Sequence, residues 1–286
     1  YLGRPGFPPL AIRGRGLRGG PIEVDASASS QFASALLLVA PRLADGIALT
    51  LAGPAVSRAY LDTTREALEA AGIQASREGR TFTVRAGQAV TAGRLEIPGD
   101  YSSGASLAAA VAVAGGGRTI ENLPWPSSQA DAVALDVLES MGVAVERRPG
   151  AVTVSGRARR PVAIDAADFP DAVPVLCAVA AGIEGETVIT GIEHLRLKES
   201  DRIAAIEDLL RAAGARARFE SGVLRVAGPR DPSFAPPFLP TRSDHRIVMA
   251  AALLALSSGG FVEAPRAVEK SYPGFFRDLI PASAVV

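Results

Sequence analysis

A chain of 286 residues, 48% hydrophobic and 21% charged, is long enough for two domains and apolar enough to bury a substantial core. Its 30 basic and 30 acidic residues cancel, so there is no global positive field to hold a nucleic-acid backbone, and any anion must be held by a local cluster. The single cysteine, Cys177, excludes an intrachain disulfide and a cysteine-based metal framework, and the apolar runs fall well short of the ~20 residues of a membrane span.

The chain opens without an initiating methionine or a signal peptide, in Gly/Pro-rich sequence, as a fragment or processed product would. Residues 13–20 alternate arginine and glycine like an RNA-binding tract, but they are few and lead into a strand, which favours a loop. A short strand at 22–24 runs into the polar turn Ser29-Ser30-Gln31 and an apolar helix from about Ser29. A strand at 47–51 and an amphipathic helix at 57–71 follow. Gly72 stops that helix, and two alternating strands turn at Glu78-Gly79.

The same order recurs twice. Strands are expected at 95–97 and 162–164, apolar helices from about Ser102 and Asp171, and strands at 119–121 and 187–190. Amphipathic helices at 131–141 and 198–213 end at Gly142 and Gly214, each followed by a hairpin. With Gly72, these glycines mark a period of about 70 residues. A fourth copy starts near Asp244 and lacks its hairpin. Each unit's first helix is apolar all round and is expected to be buried, and the second to face solvent. The fold class is therefore α/β, with repeated βαβαββ units holding helices inside and sheets outside. The expected domains are residues 1–98 and 99–286, divided at Pro98-Gly99.

Every buried helix opens on a polar cluster, and a helix N-terminus with free N–H groups attracts anions or is simply capped. Arg196 to Arg202 puts five charges into seven residues before an amphipathic helix, which suits either a solvated helix start or a binding cluster. Asp244-His245-Arg246 runs straight into apolar sequence, where an arginine is costly unless it is paired or holds an anion. Only two of the 30 basic residues are lysines, Lys198 and Lys270, as though lysine survived only where a compact ammonium is required. His194 and His245 lack metal-ligand spacing, and Cys177 sits in an apolar run as a small hydrophobe. No Walker-type loop, dinucleotide fingerprint or nucleophile elbow is present.

Ser29-Ser30-Gln31-Phe32, Pro98 to Ser103, Phe169-Pro170-Asp171, Leu195 to Arg202, Ser243 to Arg246 and Glu269 to Pro273, in this order, closely resemble the 5-enolpyruvylshikimate-3-phosphate synthase family over essentially the whole chain. The resemblance implies an inside-out α/β barrel of two domains. It implies transfer of the enolpyruvyl group of phosphoenolpyruvate to the 5-hydroxyl of shikimate 3-phosphate, with release of phosphate and without metal or cofactor. Ser29, Ser30, Gln31 and Ser57 then match ligands of shikimate 3-phosphate, with Tyr60 beside them and Asp171 and Lys198 contacting its hydroxyls. Asp171 and Glu199 become the candidates for proton transfer. Arg202, Arg246 and Lys270 match the clamp on phosphoenolpyruvate, with Lys270 a proton donor. Residues 1–98 would carry the shikimate side and 99–286 most of the phosphoenolpyruvate clamp.

The family also carries a further N-terminal stretch, with another substrate-binding lysine and arginine, so the chain is expected to be N-terminally truncated and inactive alone. Many relatives have Asn or Glu where this chain has His194. The resemblance further implies a cytoplasmic protein, usually monomeric, with small-molecule partners and no nucleic-acid or membrane partner. Two alternatives are a UDP-N-acetylglucosamine enolpyruvyl transferase, which typically has its cysteine in a mobile loop, and a non-catalytic anion-binding relic of the fold.

Overall fold

A computed structural model of the chain describes residues 1–14, 16–27, 29–53, 59–229 and 238–279. Its contacts divide it into two units. The first comprises Tyr1–Ser27, Gln31–Pro54 and Thr64–Leu95, and the second Ala28–Ser30, Ala55–Thr63 and Glu96–Val286.

The first repeat supplies β1 (Gly20–Asp25), α1 (Gln31–Val39), β2 (Ile47–Ala52), α2 (Ala59–Ala70), β3 (Ala75–Glu78) and β4 (Thr81–Val84). The sheet order is β1-β2-β4-β3, with β1 parallel to β2 and the other pairs antiparallel. Alternation decides which side is buried: Ile47, Leu49 and Leu51 of β2 and Phe82 and Val84 of β4 point inward. Here one expectation fails. α1 buries Ala33 and Leu37 but leaves Phe32, Leu38 and Val39 exposed. Within this unit it packs on β2, β4 and the 3-10 turn Ala40–Arg42, which cover part of its circumference, so apolar composition all round does not produce burial all round.

The second unit carries α3 (Tyr101–Ala114), β5 (Gly117–Glu121), α4 (Val133–Ser140), β6 (Ala144–Arg148) and β7 (Ala151–Ser155). It continues through β8 (Ala163–Asp165), α5 (Val173–Ala180), β9 (Gly185–Thr190) and α6 (Arg202–Ala212). It closes with β10 (Arg216–Glu220), β11 (Val223–Gly228), α7 (His245–Ser258) and α8 (Phe275–Leu279). One sheet runs β5-β7-β6 and is antiparallel. The other runs β10-β11-β9-β8, with β8 parallel to β9. Helices α3, α5 and α7 pack on one another in the middle. All eight residues of α5 are buried, Cys177 among them, and burial pushes that thiol's pKa up, away from nucleophilic use. Val152, Val154, Ile189, Leu224 and Val226 turn the sheets' apolar faces inward. At ~1.5–3 kcal/mol for each large aliphatic side chain, this inside-out core is the main stabilising element.

The helix-stopping Gly72 and Gly142 hold φ of 84° and 102°, the left-handed conformation that ends each amphipathic helix without a Cβ clash. The strand expected at 95–97 does not form. Among the described residues β5 pairs only with β7, and the stretch meets the turn after β5 through Gly99 N–H to Asn122 O (2.6 Å) and Asn122 Nδ2 to Ile97 O (3.4 Å) without forming a ladder. Among the described residues no helix is long and apolar enough to cross a membrane.

Two of the three central helices, α3 and α7, start on carboxylate caps. Asp100 accepts from the N–H groups of Ser102 and Ser103 ahead of α3, and Asp244 from that of Arg246 ahead of α7. Replacing Asp100 by alanine is expected to cost about 1 kcal/mol, seen in thermal melts as a fall of about 2–4 °C.

Candidate active site

The amino ends of α5, α6 and α7 meet around Arg202, the first residue of α6. Its side chain is 1% exposed, and all three nitrogens are spent: Nη1 on Asp171 Oδ1 (2.7 Å), Nη2 on Glu199 Oε2 (2.7 Å) and Nε on Asp244 Oδ2 (2.9 Å). Asp171 comes from the 3-10 turn Pro170–Ala172 that leads into α5. Asp244 is buried, also accepts from Ser200 Oγ (3.0 Å), and caps α7. Burial alone would lower the guanidinium pKa of Arg202, but Asp171 and Asp244 outweigh it and raise it.

Two further cations close the chain. Lys270 Nζ reaches Glu199 Oε1 (2.6 Å), and Arg246 Nη2 reaches Asp171 Oδ2 (3.3 Å). Burial works against ionisation of Glu199, yet the bond from Lys270 and the charge of Arg202 bring its pKa down to about 2. Asp171 is likewise held below the usual carboxylate range: burial raises it, and Arg246 and Arg202 lower it further. Both carboxylates are therefore ionised near neutrality, so they cannot donate protons, and their lowered pKa makes them weak bases that act through position. Lys198 stands near enough to Asp171 for its charge to contribute.

Arg246 differs from Arg202 in one decisive respect. It too is buried, but its Nε and Nη1 have no hydrogen-bond partner. Two N–H donors on a buried guanidinium are costly unless something else takes them, and their fork geometry suits a carboxylate or a phosphate. Glu199, Asp244 and His245 bring possible metal-ligand atoms within 4.8 Å of one another. The two carboxylates are already committed to Arg202, Lys270 and the Arg246 N–H, so a metal ion would have to displace them. Burial, then Arg246 and Arg202, lower the His245 pKa and favour neutral imidazole. His194 is buried and is also shifted down, by burial first and then by the charge of Lys198, with Nε2 lacking a hydrogen-bond partner.

The structure thus brings together Asp171, Glu199, Arg202, Arg246 and Lys270, with Lys198 beside them. Lys270 sits at the end of the 3-10 turn Pro265–Lys270, ahead of α8. Tyr60, in the first turn of α2, joins the same unit. Burial first, then Asp131 and Asp171, push its phenol pKa above the ordinary range, so it remains a proton-bearing donor. Ser30 is buried and Ser29 half-buried in the Ala28–Ser30 segment of the second unit; Gln31 opens α1 in the first unit and is exposed. Ser57 lies outside the described residues.

Sequence reasoning missed three participants. Asp244 looked like a cap and is also the buried partner of Arg202. Ser102 and Asp131, which bond to each other, belong to stretches that read as ordinary helix starts. The sequence around Asp131 reads as the start of an amphipathic helix with further acids at Asp136 and Glu139, so nothing local marked it as buried.

The fold and this cluster define a class: an inside-out α/β protein with an arginine–carboxylate network at the amino ends of its central helices. The profile of the family described as EPSP synthase (3-phosphoshikimate 1-carboxyvinyltransferase) matches residues 2–279. The chain belongs to the EPSP synthase family. It is 40% identical over 282 residues to the 3-phosphoshikimate 1-carboxyvinyltransferase of Methanoculleus marisnigri, an alignment covering 98% of this chain and 66% of the relative. It is 37% identical to the enzyme of the same name from Pyrococcus abyssi, covering 95% of this chain and 64% of the relative. The EPSP synthase structure from Acinetobacter baumannii superimposes with a TM-score of 0.74 at 26% identity, over 92% of this chain and 62% of that one. The chain spans about two thirds of the length of the curated relatives it matches.

Proposed function

We propose that the protein transfers the enolpyruvyl group of phosphoenolpyruvate to the 5-hydroxyl of shikimate 3-phosphate and releases phosphate. The observation that carries this reading is Arg246, a buried guanidinium with two unspent donors beside a fully paired Arg202, in a chain whose relatives bear the name of that activity. Arg246, Lys270 and Arg202 hold phosphoenolpyruvate, with Arg246 supplying the forked contact. Asp171, with Lys198 next to it, faces the acceptor's hydroxyls. Tyr60, Ser29, Ser30, Gln31 and Ser57 form the rest of the shikimate 3-phosphate side. Residues 1–98 then serve mainly the acceptor, and 99–286 mainly phosphoenolpyruvate.

In the addition step a carboxylate, Asp171 or Glu199, takes the proton of the 5-hydroxyl while its oxygen bonds to C2 of phosphoenolpyruvate. Lys270 gives a proton to the methylene carbon, which becomes a methyl group. The tetrahedral adduct keeps its phosphate, whose charge the arginines and lysine stabilise. Elimination returns a methyl proton to a base, restores the carbon–carbon double bond and breaks the bond to phosphate. The ionised state of Glu199 and its contact with Lys270 support a proton passing between these two across the cycle. On this reading the protein is a cytoplasmic monomer that uses no cofactor.

Calorimetry with shikimate 3-phosphate, then phosphoenolpyruvate, followed by a phosphate-release assay, tests it. Saturable binding of both is the expected result, with little or no phosphate released by this chain alone; turnover near that of a full-length relative would overturn the expectation that it is inactive alone. Binding of phosphoenolpyruvate that is unchanged in Arg246→Ala would favour the anion-binding alternative. No binding of either substrate would overturn the proposal.

A further inference from the structure

Asp131 stands outside the chain of ion pairs, in the 3-10 turn Ala130–Ala132 ahead of α4. It is 2% exposed and, among the described residues, makes no ion pair. Two hydroxyls reach it, both at the same oxygen. Ser102, in the first turn of α3, donates to Oδ2, and so does Tyr60, in the first turn of α2, at 3.4 Å. The second oxygen, Oδ1, has no hydrogen-bond partner. An isolated buried carboxylate with half of its acceptors idle is a poor way to stabilise a fold, and an apolar side chain would do better there.

The loop around Asp131 grips the same two helix starts. Gln129 accepts from the Tyr101 N–H (2.8 Å) and donates to Gly99 O (2.8 Å), which ties the loop to the beginning of α3. Thr63 Oγ1 reaches Ser128 O (3.5 Å), which ties it to α2. Asp131 is the point at which both ties converge on side-chain hydroxyls.

We propose that Asp131 is a positioning residue for the acceptor side of the site, holding Tyr60 and the first turn of α2 against the start of α3 through its Oδ2. This rests on the function proposed above, which puts Tyr60 beside shikimate 3-phosphate. Burial, reinforced by Asp171, brings the Asp131 carboxyl up to about 6, while Ser102 and Arg246 act in the other direction and Asp100 adds slightly to the rise. Because the folded-state pKa lies above the ordinary carboxylate range, stability falls as pH rises towards 6, and the ionised form carries its full cost above that. A residue kept at such a cost fits a role in placing a neighbour.

The test uses the full chain with Asp131→Ala, Asp131→Asn and Tyr60→Phe, and shikimate 3-phosphate as the probe. Asparagine keeps an oxygen acceptor for both hydroxyls, whereas alanine removes it. Asp131→Ala is expected to weaken binding of shikimate 3-phosphate about tenfold, the loss of roughly one hydrogen bond. It should leave the melting temperature at pH 8 unchanged or higher. Hydrogen exchange at the amides of residues 63–66, which close the first turns of α2, should speed up several-fold. Asp131→Asn should restore most of the affinity, and adding Tyr60→Phe to Asp131→Ala should cost little more. Unchanged affinity and unchanged exchange in Asp131→Ala would sink the proposal, as would a fall in melting temperature that tracks the loss of binding. If the parent chain binds no shikimate 3-phosphate, the function fails while the exchange data still decide whether Asp131 holds α2.

Discussion

Arg202→Ala is expected to lower the melting temperature at pH 8 by about 10 °C. The side chain is buried and meets three carboxylates at 2.7–2.9 Å, and Asp244 has no exposure with which to recover water. Removing one partner from a buried network leaves uncompensated charge, a cost of about 3–5 kcal/mol. At about 2–4 °C per kcal/mol for a domain of this size class, that gives the stated shift. The pH dependence has a definite sign. Glu199 has its pKa depressed in the folded state to about 2, and that of Asp171 is depressed as well. Depressed carboxylates contribute stability above their unfolded values and lose it as pH falls through the folded ones. The gap between parent and variant should therefore be full at pH 5 and above and narrow steadily between about pH 4.5 and 2. Melts across that range check it. Arg202→Met separates charge from packing: if methionine restores most of the stability, packing and not the ion pairs holds the site together.

Arg246→Ala should do the reverse, sparing the fold and disabling the chemistry. Only Nη2 of Arg246 is committed, at 3.3 Å to Asp171, and the substitution also removes two unsatisfied buried donors. The stability change is accordingly expected within about 1 kcal/mol. If the two free donors meet the phosphate or carboxylate of phosphoenolpyruvate, their loss removes preorganised stabilisation of the adduct. Loss of one such donor elsewhere costs about 100- to 1,000-fold in turnover, roughly 2.7–4 kcal/mol. Any kcat/KM the chain shows for phosphoenolpyruvate should fall at least that far, and its affinity for phosphoenolpyruvate at least about tenfold, with affinity for shikimate 3-phosphate changed little. Arg246→Lys should recover only part of the loss, because an ammonium is a point charge without the fork. Normal phosphoenolpyruvate kinetics in Arg246→Ala would remove the central observation behind the proposed function. The two arginines thus give opposite outcomes from one network, since one is fully paired within the protein and the other is not.

Much of the architecture was legible because its causes are local. Alternation in residues 47–51 and 81–84, glycines at the ends of amphipathic helices and turns such as Pro149-Gly150 act over a few residues, and the structure puts strands, stops and hairpins there. The strand expected at 95–97 did not form because, among the described residues, the stretch joins no ladder, and pairing is a tertiary matter that alternation does not report. The exposure of Phe32 and Leu38 had no local signature at all, since a helix's composition does not state how many neighbours it will have.

The amino acids alone determined the repeated βαβαββ order, the helices inside and sheets outside, and a family resemblance written in short motifs at helix starts. Hydrophobic periodicity and backbone freedom are properties of neighbouring residues, so they can be read in one dimension. Tertiary structure alone decided which charges meet. The resemblance singled out Asp171, Glu199 and Arg202, but their local sequence, like that of Asp244, fits a cap or a solvated helix start and says nothing of their pairing, and Asp131 joins Tyr60 across 71 residues of chain. Charge pairing depends on distance and desolvation, which exist only after the helices have packed, and that packing is what left Arg246 with two donors unspent.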